Sequence, residues 1–236
     1  MFLLGGGDGS THRRCRGVMK LRIVTVTSRP ANPWLAEALE SVRSTMPADA
    51  EHLVVRSAGT PAAWNSDLWA ACAGAEAVAV VDDDDRVTPG ALTSCVRALE
   101  NTGVGLAFTD EEEIDEHGQH LRDGLRRGRC LMDLAMHPRC IHHLAVFRPA
   151  LVPHTALELA QRCERGLDWL MRAAAGLRGG AVRVPVIGYQ WRRHGAQDSS
   201  AGAGVYAAAM PALRQLTRSW MSYDAPIREV APCALG

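Results

Sequence analysis

Apolar and polar positions alternate from Leu21 to Thr27, and several of these residues are β-branched, which predicts a strand. Two prolines and Asn32 make Ser28 to Pro33 a loop. From Trp34 to Thr45 the apolar positions Leu35, Ala38, Leu39 and Val42 fall at helical spacing, and Pro47 ends the helix. His52 to Val55 reads as a second short strand. Thr60-Pro61 opens a helix that runs to about Ala73 and stops at Gly74. Ala77 to Val81 is apolar throughout, as in a buried strand, and leads straight into Asp82. Thr88-Pro89 is placed to cap a helix reaching about Asn101, with Gly103 as its stop. Further on, the pattern predicts a strand over Leu106 to Thr109, an acidic turn from Asp110 to Gly118 and a mobile loop over the arginine- and glycine-rich residues 119–130. His143 to Arg148 reads as a strand and Leu167 to Ala175 as a helix ended by Gly176. Ala181 to Trp191 reads as a strand with a proline bulge, and Val205 to Met221 as a last helix kinked at Pro211. Strands alternating with helices predict a largely parallel sheet covered on both faces, and there are no internal repeats.

The 236 residues suit one domain with a sizeable core, and 47% hydrophobic with 22% charged residues is ordinary globular usage. Twenty-six basic residues balance 26 acidic ones, so bulk attraction to nucleic acid is excluded as a mode of action. Seven cysteines, an odd number with no CxxC pair, suggest neither a disulfide framework nor a zinc site; they fit reduced thiols and a cytoplasmic setting. No apolar run is long enough to span a bilayer. Residues 1–18 are glycine-rich, then basic, without periodicity. They read as a disordered leader, or translation starts at Met19; residues 19–203 form the domain and 204–236 a C-terminal helix and tail.

The strongest local chemistry is Asp82-Asp83-Asp84-Asp85 behind a buried strand. A strand of this kind carries its following residues to the carboxyl edge of the sheet, where open α/β sheets bind ligands. Four adjacent carboxylates repel one another, and a divalent cation among them relieves that repulsion. Hard oxygen ligands suit Mg²⁺ or Mn²⁺, which can hold a pyrophosphate and stabilise the charge it gains on leaving. The competing reading is a solvated loop whose aspartates complement the next helix N-terminus.

These pieces stand in an order that resembles a family 2 glycosyltransferase of the GT-A fold, from about Leu21 to Ser200. The opening strand and Pro/Asn loop match Val24 to Asn32, and the Glu-Ala-Leu-x-Ser-Val pattern matches Glu37 to Val42. An Asn before the helix leading to the metal motif matches Asn65, and the Asp-x-Asp motif falls on Asp82 to Asp84. The next acidic element resembles Phe108 to Gly118. Ile141 to Arg148 and Val184 to His194 match later segments. The resemblance implies a Rossmann-like single domain with a mostly parallel central sheet. It also implies a divalent metal (manganese or magnesium), a nucleotide-sugar donor and a hydroxyl acceptor.

Carried over residue by residue, the resemblance puts the metal on Asp84, with Asp85 assisting through water, and sets Asp82 at the ribose or pyrophosphate. Ser28, Pro30, Asn65, Asp82, Asp83 and Arg192 fall on the donor side, Arg192 and Arg193 being suited to a diphosphate. His194 joins the metal or stands as an ordinary exposed histidine. Asp110 falls beside the acceptor, and His143 is either a site residue or a core histidine. An inverting transferase needs a carboxylate base for the acceptor hydroxyl. Matching the Asp-Trp pair of the family's base helix selects Asp168, with Glu164 as the alternative, whereas counting back from Arg172 reaches Gly166.

The sequence departs from the family at Val55 to Thr60, where the acid that reads uracil is absent and the span to Asn65 is short. Guanine or thymine recognition follows as readily as uracil. Two other classes stay open: a non-catalytic relative that binds sugar nucleotides, and a nucleotidyltransferase. The glycine-rich stretch Leu3 to Arg14 imitates the phosphate loop of the latter, but it precedes the first strand.

Overall fold

In the computed structural model the described residues are 19–29, 31–124, 133, 141–164, 166–195, 211, 214–215, 217–220 and 226–229. The predicted leader, Pro30, the second half of the Arg/Gly-rich loop and most of the last helix lie outside them, although Thr217 to Trp220 are helical as expected.

The elements are β1 (Leu21–Thr27), α1 (Leu35–Thr45), β2 (Glu51–Arg56), α2 (Pro61–Cys72), β3 (Ala77–Val80), β4 (Arg86–Val87) and α3 (Ala91–Thr102). After them come β5 (Leu106–Ile114), β6 (His120–Asp123), β7 (Ala145–Phe147), α4 (Thr155–Cys163), α5 (Leu167–Gly179), β8 (Ala181–Arg192) and β9 (Arg228–Glu229). One sheet takes the order β2-β1-β3-β7-β5-β8-β4, with β6 on β5 and β9 on β8. The pairs β1–β2, β1–β3 and β5–β8 are parallel; β7 runs antiparallel between β3 and β5, so the sheet is mixed.

Strand alternation builds two cores, one on each face. Val24, Val26, Val78, Val80, Leu106 and Phe108 pack with α2, α4 and α5. Leu21, Ile23, Ala77, Ala79, Ala107 and Val146 pack with α3 and with Val42 of α1. The register carries this across strands: Ile23 sits beside Ala79 and Val24 beside Val80. All four residues of β3 are buried, and the chain leaves the core at Asp82.

Several boundaries depart from the sequence pattern. Asp110 to Ile114 are strand, not turn; β5 continues because carboxylates of this stretch meet Arg183, His142, Gln190 and Arg122. The turn is confined to Asp115 to Gly118, where the Asp115 carboxylate accepts from the His117 and Gln119 amides at 2.9 and 2.8 Å. The opening of the expected mobile loop is strand β6. Thr88 does not cap α3, since its hydroxyl donates to the Ile187 carbonyl at 2.6 Å; Gly90, at φ +78°, precedes the helix. α5 runs past Gly176, whose carbonyl receives the capping Gly180 amide at 2.8 Å. Asn65 lies inside α2, not ahead of it. The proline bulge is present: opposite β5, the register jumps from Val184 at Thr109 to Ile187 at Asp110.

Candidate active site

A cleft of about 470 Å³ opens at the carboxyl ends of β1 and β3. Asp82, Asp83 and Asp84 form its floor. Ser28 and Arg29, which follow β1, form one side, and Thr60, Trp64 and Asn65 at the start of α2 form another. His142, His143, Trp191 and Asp168 close it opposite.

The acidic floor is held from several directions. The Thr27 hydroxyl donates to the Asp83 carboxylate at 2.6 Å, and the Asn32 amide donates to the Asp83 carbonyl at 2.7 Å. The Arg29 guanidinium bridges Asp83 and Asp84, at 2.6 Å from Asp84 Oδ2. His194 Nε2 approaches Asp84 Oδ2 at 2.9 Å from behind, its ring 4.1 Å from that of Trp34. Asp85 faces inward: its carboxylate accepts the Arg192 amide at 2.7 Å and is fully buried. Burial, then repulsion from Asp84 and Asp82, raise the Asp85 carboxyl well above its ordinary 3.8. Asp82 is also raised well above 3.8, by desolvation at the cleft floor and then by repulsion from Asp84 and Asp168. Its side chain keeps 39% of its surface open to the cleft, so water softens the desolvation and repulsion is the firmer cause.

His143 lies at the boundary between core and cleft. It is 3% exposed and stacked on Tyr189, yet it borders the cleft. Burial, then the neighbouring Arg172, hold its pKa well below 6.5, so the imidazole is neutral. Its approach to Asp82 at 3.6 Å and Asp168 at 3.8 Å is therefore not ion pairing. The Val80 carbonyl, 3.1 Å from Nδ1, assigns the proton to that nitrogen. Asp168 stands in the first turn of α5, and the Arg172 guanidinium one turn on donates to it at 2.6 Å. Glu164 also lines the cleft, at the left-handed residue (φ 58°) that ends α4.

Ser28, Asn65, Asp82, Asp83, Asp84, His143 and Asp168 are thus brought together. Arg192 is not at the cleft wall. Its guanidinium is 1% exposed, donates to the Asp84 and Glu116 carbonyls at 2.8 and 3.1 Å and pairs with Glu37 at 2.5 Å, bracing the loops around the floor. Asp110 is likewise set apart, joined to Arg183 through Nε at 2.9 Å. Arg29, Trp64 and His142 also line the cleft, although nothing in the local sequence distinguishes them. Arg29 and His142 lie inside matched segments, beside Ser28 and His143.

The donor set fits a hard divalent cation: carboxylates Asp82 and Asp84 with the imidazole of His194 beside Asp84, and an Asp82 carboxyl pushed upward by burial and by repulsion from Asp84 and Asp168. These groups do not converge as closely as Glu112, His120 and Asp123 on the β5–β6 hairpin. That separate group places one ligand atom from each residue within 4.8 Å of the others, but His120 and Asp123 are exposed and outside the cleft.

No family model matches the chain, and no curated protein matches its sequence. Solved structures do. S. aureus TarS, residues 1–349, superposes with a TM-score of 0.58 at 12% identity, over 83% of this chain and 64% of that one. The same fragment in complex with UDP-GlcNAc gives 0.57 at 14% identity, over 86% and 66%. In complex with UDP it gives 0.59 at 12%, over 87% and 67%. This chain therefore spans about two thirds of the TarS fragment. No described helix is long and apolar enough to cross a membrane. At such identities the likeness establishes architecture: the chain has an α/β glycosyltransferase fold with a mixed sheet.

Proposed function

We propose that the chain is a metal-dependent, inverting glycosyltransferase that moves a hexosyl unit from a nucleoside-diphosphate sugar to an acceptor hydroxyl on a soluble molecule or glycan. The observation that carries this reading is the meeting of Asp82, Asp83, Asp84 and Asp168 in one cleft at the carboxyl edge of the sheet. The TarS fragment that shares the fold has been crystallised with UDP-GlcNAc and with UDP, which supports a nucleotide-sugar donor.

Asp84, with His194 behind it and Asp82 beside it, would hold the cation, whose charge would stabilise the departing diphosphate. Asp168 serves as general base: it takes the proton of the acceptor hydroxyl as that oxygen bonds the anomeric carbon and the bond to the diphosphate oxygen breaks. Arg172 fixes the Asp168 rotamer through their 2.6 Å contact. Neutral His143 fills the space between Asp82 and Asp168 without adding a charge. Trp64 offers an aromatic face beside the missing uracil-reading acid, a contact any base can use. We place the reaction in the cytoplasm.

Incubation with a panel of nucleotide sugars, manganese and candidate acceptors, followed by measurement of released nucleoside diphosphate, tests the reading. Turnover that disappears in Asp168→Asn, by about 10²–10⁴-fold with donor affinity kept, supports the base assignment. The same loss in Glu164→Gln alone moves the base to Glu164. Tight donor binding without any release assigns the chain to the non-catalytic class, and release of pyrophosphate assigns it to the nucleotidyltransferases.

A further inference from the structure

A cation already sits among the cleft carboxylates, and it belongs to the chain. One nitrogen of Arg29 contacts both Asp83 and Asp84. The two carboxylate side chains are 8% and 13% exposed, whereas that of Arg29 is 35% exposed. The buried anions are fixed and the more accessible cation is the member free to leave. Asp83 stays anchored by Thr27 at its carboxylate and by Asn32 at its backbone carbonyl, and the Asp84 carboxylate by His194. The carboxylates therefore keep their places without Arg29.

We propose that Arg29 is an exchangeable counter-ion that becomes a donor clamp: it neutralises Asp83 and Asp84 until a divalent cation displaces it, and then grips the donor diphosphate. Asp84 is common to Arg29 and to the cation's ligand set, and a doubly charged ion on Asp84 and Asp82, with Asp83 adjacent, gains more from these carboxylates than a singly charged guanidinium does. The displaced side chain remains in the cleft, because Ser28 and Arg29 line it together with Asp82. A guanidinium presents paired donors that match diphosphate oxygens. Arg192, the residue the sequence suggests for this task, is committed to backbone carbonyls and Glu37. The exchange links the two ligands: each makes the other bind better, by the same factor. The clamp half rests on the nucleotide-sugar reading; the counter-ion half does not.

The test uses the full wild-type chain and labelling of Arg29 by phenylglyoxal, followed by peptide mass spectrometry. Labelling is expected to be slow in chelator, on the order of tenfold faster in magnesium chloride alone, and slow again with magnesium and inorganic pyrophosphate, in keeping with the usual size of such linkage. Calorimetry supplies the second arm. Arg29→Gln should bind manganese about tenfold tighter than wild type and magnesium pyrophosphate about tenfold more weakly. Should the variant fail to fold, the wild-type labelling decides by itself. A labelling rate indifferent to magnesium overturns the exchange. Release by magnesium without protection by pyrophosphate overturns the clamp. The full pattern in a protein that turns over no nucleotide sugar would leave the exchange standing and sink the transferase reading.

Discussion

Two runs of four acidic residues, Asp82 to Asp85 and Asp110 to Glu113, each follow a buried apolar stretch, and they meet opposite fates. The second run stays inside β5. Its side chains meet partners from neighbouring segments: Arg183 at Asp110, His142 at Glu111, Gln190 and His120 at Glu112, Arg122 at Glu113. The first run lies beyond the end of β3, where the chain turns before β4. Asp83 and Asp84 share one guanidinium, and Asp82 and Asp85 have their carboxyls driven upward. Acidity in a sequence thus does not mark a site. What separates the runs is whether adjacent strands supply enough donors to satisfy the carboxylates.

The largest effect that would break this comparison is on turnover. Asp84→Ala should abolish nucleoside diphosphate release, a loss beyond the roughly 10²–10³-fold typical of one electrostatic contact. Manganese-dependent donor binding should vanish with it, and the melting temperature should hold. Full activity in that variant, or in excess chelator, removes the metal from the mechanism.

The next effect falls on stability. Asp110→Asn leaves the Arg183 guanidinium, 15% exposed, without its carboxylate. Breaking a buried pair costs ~3–5 kcal/mol, and the water Arg183 retains puts the expectation just below that range, about 2–3 kcal/mol. Urea unfolding measures this, with donor affinity unchanged. An intact stability curve together with weakened acceptor turnover would return Asp110 to the acceptor side, where the sequence resemblance puts it.

The sequence exposes most of the scaffold. β1 is found over the residues its alternation marks, and α2 opens at Thr60-Pro61, where the threonine hydroxyl caps the Ala63 amide at 3.2 Å. Those features are written in local periodicity and cap chemistry. β4, β9 and the extension of β5 are not, because each depends on pairing with β8, distant in the chain. The cleft follows the same division. Asp82 to Asp84 are visible because a buried strand points at them. Arg29 is hidden because nothing local distinguishes an arginine that spans two carboxylates 54 and 55 residues away. Arg192 misleads for the mirror-image reason: its neighbours in sequence suggest a phosphate ligand, while its neighbours in space are carbonyls and Glu37.

The smallest effect runs opposite in sign to the others. Asp82→Asn should lose activity and yet melt higher than wild type in chelator at pH 7.5. A neutral amide of the same shape removes the repulsion from Asp84 and Asp168. The cleft water that reaches this side chain screens part of the effect, so about 1 kcal/mol or less is expected, roughly 2–4 °C in a domain of this size. Linkage fixes the pH dependence. The folded pKa of Asp82 lies above its ordinary 3.8, so its share of stability is fully present below pH 3.8 and is lost as pH rises through the folded value. The advantage of the variant should therefore shrink as pH is lowered toward 4. His143 has its own loss of stability as pH falls below 6.5, but that loss is common to both proteins and largely drops out of the difference. Manganese should narrow the gap at pH 7.5 by binding the wild-type carboxylate and not the amide. Scanning calorimetry of both proteins between pH 4 and 8, with chelator and with manganese, resolves the three trends. A variant that melts lower than wild type in chelator at every pH would show that Asp82 is held as favourably as the carboxylates of β5, and the contrast between the two acidic runs would fail.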